Sequence, residues 1–181
     1  VNYNSVSGTT VQITVNKAPL TATAENKSKV YGTANPALTI AYTGFVNSET
    51  SAVIDSQPTA GTTATVLSDV GPYPISLTGG IDNNYTISLV AGTLTITKAT
   101  LTATANNQTR VYQTTDPTFT ISYSGFVNGD DESDLNTAPT ATTTAILSSP
   151  VNTYPITPAG GVDNQLPGRV RHLDQHRDAV A

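Results

Sequence analysis

Lys17-Ala18-Pro19-Leu20-Thr21-Ala22-Thr23-Ala24 returns 81 residues later as Lys98-Ala99-Thr100-Leu101-Thr102-Ala103-Thr104-Ala105. Apolar Leu20, Ala22 and Ala24 alternate with Thr21 and Thr23, which puts alternate side chains on one face of a strand. The same offset recurs along the chain. Val30-Tyr31 returns as Val111-Tyr112, and Asn35-Pro36 as Asp116-Pro117. Tyr42-Thr43-Gly44-Phe45-Val46-Asn47 returns as Tyr123-Ser124-Gly125-Phe126-Val127-Asn128. Tyr73-Pro74-Ile75 and Gly79-Gly80-Ile81-Asp82-Asn83 return as Tyr154-Pro155-Ile156 and Gly160-Gly161-Val162-Asp163-Asn164. A single ungapped offset over so many positions defines a tandem array.

Four segments follow from this alignment. Residues 17–97 read as one complete repeat and 98–165 as a truncated second one. Residues 1–16, with Asn2-Tyr3 and the alternating Val11, Ile13 and Val15, read as the C-terminal strands of an upstream repeat. Residues 166–181 leave the pattern and read as an aberrant tail, disordered or frame-shifted. Starting without Met and in mid-pattern, the sequence reads as an excerpt of a longer array.

Within a repeat the apolar period is two throughout. Leu38, Ile40 and Tyr42, their copies Phe119, Ile121 and Tyr123, then Tyr73, Ile75 and Leu77, each predict a strand. Tyr85, Ile87 and Leu89 form another, and Leu94 with Ile96 the last. Val90-Ala91-Gly92 between them reads as a hairpin turn. Pro36, Pro58, Pro72 and Gly79-Gly80 punctuate the strands. One short helix is expected over Ser48–Ile54, with Ser48 as its cap and Glu49 in the first turn, and its copy over Asp130–Leu135. Two strands, a short helix and three further strands give a mainly β, β-grasp-like order, whose first and last strands would pair in parallel. An immunoglobulin-like β-sandwich is the alternative.

Composition excludes several function classes. Charged residues are only 12% and the net charge is −5, so there is no basic stripe to displace counterions and no nucleic-acid partner is expected. Without cysteine there is no disulfide framework, thiolate metal site or thiol nucleophile. No apolar run reaches the ~18 residues that span a bilayer.

The motif set Lys17-Ala18-Pro19-Leu20, Val30-Tyr31-Gly32, Asn35-Pro36, Tyr42-Thr43-Gly44-Phe45, Tyr73-Pro74-Ile75, Asn84-Tyr85 and Gly92-Thr93-Leu94-Thr95-Ile96 resembles the MBG repeats of the YGX type. Those repeats occur in large bacterial surface and adhesin-like proteins. The resemblance covers 17–98 fully and 98–165 in part, and the second copy departs at Gln113, where the family pattern has Gly. It implies an extracellular location, at the cell surface or secreted, a link to β-grasp modules, and mucin binding.

Candidate sites compete with plainer readings. His172 and His176 stand at i and i+4, but Leu173 occupies the place of the general-base Glu of zinc hydrolases, so no metal site is assigned. Asn128-Gly129-Asp130-Asp131-Glu132-Ser133-Asp134 is acidic without the EF-hand order, and a solvated helix start is the better reading. Asp82-Asn83-Asn84 reads as a turn made by its own side chains. Tyr31, Tyr42, Tyr73 and Tyr85 could stack on sugars, but packing accounts for them better. Lys17 and Lys98 read as linker lysines rather than isopeptide donors, and the sequons at Asn26, Asn84 and Asn107 matter only in a eukaryotic secretory pathway.

Three of the four arginines and both histidines fall after Gln165. A one-base slip accounts for the break: Gln-Leu-Pro encoded as CAA-CTA-CCN reads AAC-TAC one base later, restoring Asn-Tyr. No catalytic, metal, cofactor or ligand-binding residue is assigned, and no cofactor is expected. The expected role is a non-catalytic stalk or spacer whose partners are neighbouring repeats. A multivalent glycan or mucin binder is the alternative, and an accessory region of a larger extracellular hydrolase is the second.

Overall fold

The computed structural model describes residues 8–163, and the chain is mainly β. The strands are β1 (Ala18–Ala24), β2 (Lys27–Val30), β3 (Ile40–Thr43), β4 (Thr59–Thr62), β5 (Gly71–Thr78), β6 (Tyr85–Val90), β7 (Gly92–Thr97), β8 (Thr102–Ala105), β9 (Ile121–Ser124), β10 (Thr137–Thr143) and β11 (Ile156–Val162). They pack into two compact units. One is built from residues up to 25 with 38–62 and 75–92, the other from 26–37, 63–74 and 93 onward.

In the first unit β1 is the central strand. It pairs antiparallel with β3, Ala22 opposite Tyr42, and parallel with β6, Leu20 opposite Ile87. The expected parallel pairing of the first and last strands is corrected: β1 pairs with β6, while the last strand β7 pairs in parallel with β2. Alternation along β1 sends Leu20, Ala22 and Ala24 inward, and all three are buried. Leu20, Ile54 and Tyr85 make the core of this unit, with Ala18, Tyr42, Phe45 and Ile87 packed around it. β4 and β5 pair antiparallel, Thr59 opposite Thr78. Gly44 follows β3 at φ +111°, and a Cβ there would lie 2.6 Å from the Pro19 carbonyl oxygen. Gly125 repeats this at φ +106° and 2.4 Å from the Thr100 carbonyl, so the Tyr-x-Gly-Phe motif needs its glycine in both copies.

Two further sequence expectations are corrected here. The segment Ser48–Ile54 is not an α-helix but a single 3-10 turn over Ser51–Val53, with Thr50 rather than Ser48 at the N-cap position and no side-chain cap bond. Asn47 and Ser48 sit at φ +53° and +61°, a left-handed conformation from which a helix does not start. Ile54 then returns to extended backbone, and its burial in the core outweighs any further helical turn. The copy likewise contracts to Glu132–Asp134. Val90-Ala91-Gly92 is not a hairpin turn either. β6 runs parallel to β1, while β7 runs parallel to β2, Lys27 opposite Leu94, so the two strands join different ladders.

The second unit contains the β2–β7 ladder and two antiparallel pairs, β8 with β9 and β10 with β11. β8, β9, β10 and β11 are the second-repeat counterparts of β1, β3, β4 and β5. The counterpart of β2, residues 108–111, forms no strand. Gln113 keeps the turn that Gly32 makes: it lies at φ +63°, and Thr114 N donates to Val111 O just as Thr33 N donates to Val30 O. No residue between 98 and 163 is buried, whereas Leu20, Ala22, Ile54, Ala64 and Ile75 of the first repeat all are. Residues 8–16 form no strand and lie exposed.

Candidate functional site

Asp82 closes the first repeat. Its Oδ1 accepts from the Asn84 and Tyr85 amides at 2.7 and 2.8 Å, and its Oδ2 from the Asp55 amide at 3.3 Å. The cluster is therefore an Asx turn, as its composition suggests. Burial pushes the Asp82 carboxyl up, but the three amides and the Lys17 charge outweigh it and hold the group below its ordinary value. Lys17 Nζ donates to the Asp82 carbonyl at 2.7 Å. The Tyr85 hydroxyl donates to Glu49 Oε2 and accepts from Val46 N, which ties the loop after β3 to the start of β6. The bond to Glu49, with burial, pushes the phenol up.

The second repeat reproduces part of this. Lys98 Nζ donates to the Asp163 carbonyl at 2.6 Å, across the same 65-residue separation as Lys17 and Asp82. That shared lysine–aspartate spacing was the sequence signal for a clamp read as a pair of linker lysines. Lys29 Nζ donates to Thr65 O, and its counterpart Arg110 reaches Ile146 O at 2.6 Å while pairing with Asp116. Burial pushes the Lys29 amine down.

The acidic cluster is spent on backbone. Asp131 Oδ1 accepts from the Ser133 amide at 2.8 Å, and Asp134 Oδ2 accepts from the Asp131 amide at 3.0 Å, a reciprocal capping box. The Ser133 bonds hold the Asp131 carboxyl low. Asp130 is raised by burial and by Asp134, Asp163, Asp131 and Asp69. Among the described residues no group of three His, Asp or Glu is placed to hold a metal ion. His172 and His176, and the segment after Gln165 for which a frame slip is expected, lie outside the described residues.

Within the second unit, residues of the two repeats meet in a built seam. The Tyr31 hydroxyl donates to Asp130 Oδ2 at 2.9 Å, and Asn128 Nδ2 donates to Val66 O at 3.2 Å. At Gly32 (φ +81°) a Cβ would fall 2.6 Å from Val127 Cγ2. Tyr31 is 4% exposed here, while its copy Tyr112 is 52% exposed. Tyr31 and Tyr85 are thus packed rather than offered to a ligand, and Tyr42 and Tyr73 are half-buried. Asn26 is used as an acceptor for the Thr93 amide at 2.8 Å.

Two cavities open in the second repeat. One, ≈370 Å³, is lined by Leu101, Tyr123, Phe126 and Leu135, copies of Leu20, Tyr42, Phe45 and Ile54. The other, ≈680 Å³, is lined by Ala105, Phe119, Ala145 and Ile156, copies of Ala24, Leu38, Ala64 and Ile75. Both are core positions of the first repeat laid open.

Fold and site together define a tandem array of small β modules that share a lysine clamp, with a seam where the first repeat meets the second. The MBG domain (YGX type) family matches residues 20–95 and again 101–165, and the chain belongs to that family. No curated protein and no solved structure matches the chain.

Proposed function

We propose that this chain is a non-catalytic repeat segment of an extracellular bacterial surface protein and serves as the stalk or spacer of an adhesin. The observation that supports this most is the seam: Tyr31 is buried with its hydroxyl on Asp130 of the following repeat, whereas Tyr112 is open. Successive modules that dock through built contacts transmit length and orientation, which a stalk requires and an isolated binding module does not. One aromatic pair is taken up in packing in both repeats, Tyr42 against Phe45 at 5.8 Å and Tyr123 against Phe126 at 5.6 Å, and Tyr112 is exposed where its copy Tyr31 is buried. That argues against a sugar platform repeated in every module, so the stalk reading is preferred to a glycan or mucin binder.

The test is a distance distribution between spin labels within the second unit, one on exposed Ser28 of the first repeat and one on exposed Thr157 of the second, each replaced by Cys. A stalk predicts a narrow distribution that broadens on Tyr31→Ala. A broad distribution already present in the unaltered chain would remove the reading. Binding of mucin glycopeptides by the unaltered chain would favour the alternative.

A further inference from the structure

Glycine at position 32 is not required by its own turn. Gly32 lies at φ +81° and its copy Gln113 at φ +63°. Both turns close by the same bond, Thr33 N to Val30 O and Thr114 N to Val111 O, each at 3.1 Å. A glutamine therefore holds this turn, with the strain of a side chain at positive φ. The preceding tyrosine is kept as well, as Tyr31 and Tyr112. What sets Gly32 apart is the residue that faces it across the seam.

A Cβ at Gly32 would fall 2.6 Å from Val127 Cγ2 and 2.8 Å from Val127 Cβ. Rotating the valine moves Cγ2 but leaves Cβ where the backbone puts it. Carbon atoms in contact rest about 3.5–4.0 Å apart, so the whole turn Val127–Asp130 would have to retreat by roughly 1 Å. That turn closes by Asp130 N on Val127 O at 3.0 Å, with Asn128 and Gly129 at φ +57° and +79°. It carries the seam bonds from Asn128 to Val66 O at 3.2 Å and from the Tyr31 hydroxyl to Asp130 at 2.9 Å. A retreat of about 1 Å takes both past hydrogen-bonding distance. The valine turn is common to both repeats. Val46 to Glu49 repeats it, with Asn47 and Ser48 at φ +53° and +61° and Glu49 N on Val46 O at 3.0 Å. Both repeats thus present the part that inserts, and only the first has a glycine to receive it.

We propose that the residue at this position selects what docks: Gly32 admits the valine turn of the following repeat, and Gln113 refuses a repeat that carries one. The partner that Gln113 fits is a module with glycine at the Val127 position. Specificity comes from a built clash rather than from an added contact. A module with the valine turn joined after the second repeat would be tethered without a seam, and that junction becomes a hinge where the first is docked. This selection deepens the stalk reading and rests on the seam that reading uses.

The experiment is the label distance between Ser28→Cys and Thr157→Cys in the full chain, alone, with Gly32→Gln, and with Gly32→Gln and Val127→Gly together. Gly32→Gln places the second repeat's residue in the first repeat's socket. The unaltered chain should give one narrow distribution, Gly32→Gln a broad one, and the double variant a narrow one again. Recovery marks a steric gate, because two independent losses would add. Amide exchange over β2 and β7 should be unchanged in Gly32→Gln, which separates an opened seam from a damaged repeat. Loss of that protection would overturn the gate, by showing that the first repeat needs the glycine for its own turn. A narrow distribution in Gly32→Gln would overturn it and leave the stalk reading standing, as would a double variant as broad as Gly32→Gln. A broad distribution in the unaltered chain would remove both.

Discussion

Leu20 and Leu101 are the same residue at the same repeat position, and truncating each to alanine measures how complete the two modules are. Leu20 is 1% exposed in the core of Leu20, Ile54 and Tyr85, whereas Leu101 is half-buried beside an open cavity. Removing a fully enclosed leucine loses its transfer free energy and leaves a cavity that rigid neighbours refill poorly, about 3 kcal/mol within the usual Leu→Ala range. At Leu101 roughly half of that apolar area is already wet, and water enters the vacated space, so the loss should be about 1 kcal/mol. The array has no guarantee of one cooperative transition, so a single global midpoint would mix the two repeats. Amide exchange resolved by peptide separates them. Leu20→Ala should lower protection in β1, β3 and β6 by about two orders of magnitude, and Leu101→Ala should lower it in β8 and β9 by less than one. Equal losses at both sites would refute the claim that the second core is open.

Four further outcomes follow from particular residues. Gln113→Gly should raise the stability of the second repeat by about 1 kcal/mol, seen as slower exchange over 102–124, because a side chain at φ +63° is strained where glycine is not. Gly32→Ala should do the reverse and also loosen the seam, since its Cβ would press on Val127; the label distances would broaden. Lys17→Met should cost about 1 kcal/mol through loss of the bond to the Asp82 carbonyl, read as faster amide exchange over β1 and β6. The Asp82 carboxyl is held low in the folded state, so its contribution is full above the unfolded value of about 3.9 and fades as pH falls through the folded value. Asp82→Asn should therefore lower stability at neutral pH and flatten the acid limb below about pH 4, whereas an unchanged acid limb would contradict the assignment.

The sequence by itself determined the array and most of its strands. An ungapped offset identifies modules whatever their fold, and a period of two is imposed by the pleat of one strand, so β1, β3, β5, β6 and β7 were legible from their own side chains. The Asx turn at Asp82 was legible for the same local reason. What tertiary structure decided is everything set by a distant partner. Ser48–Ile54 has helix-like composition, but left-handed Asn47 and Ser48 and the burial of Ile54 cut it to one 3-10 turn. Val90-Ala91-Gly92 has the composition of a hairpin turn, yet β1 and β2 each claim a different strand of the supposed pair. The lysine clamps and the Tyr31–Asp130 seam join residues 65 and 99 positions apart, and no local pattern encodes such pairs. Burial is likewise a property of the neighbours: Leu20 and Leu101 hold the same repeat position, and the packing of Ile54 and Tyr85 on Leu20 makes it core.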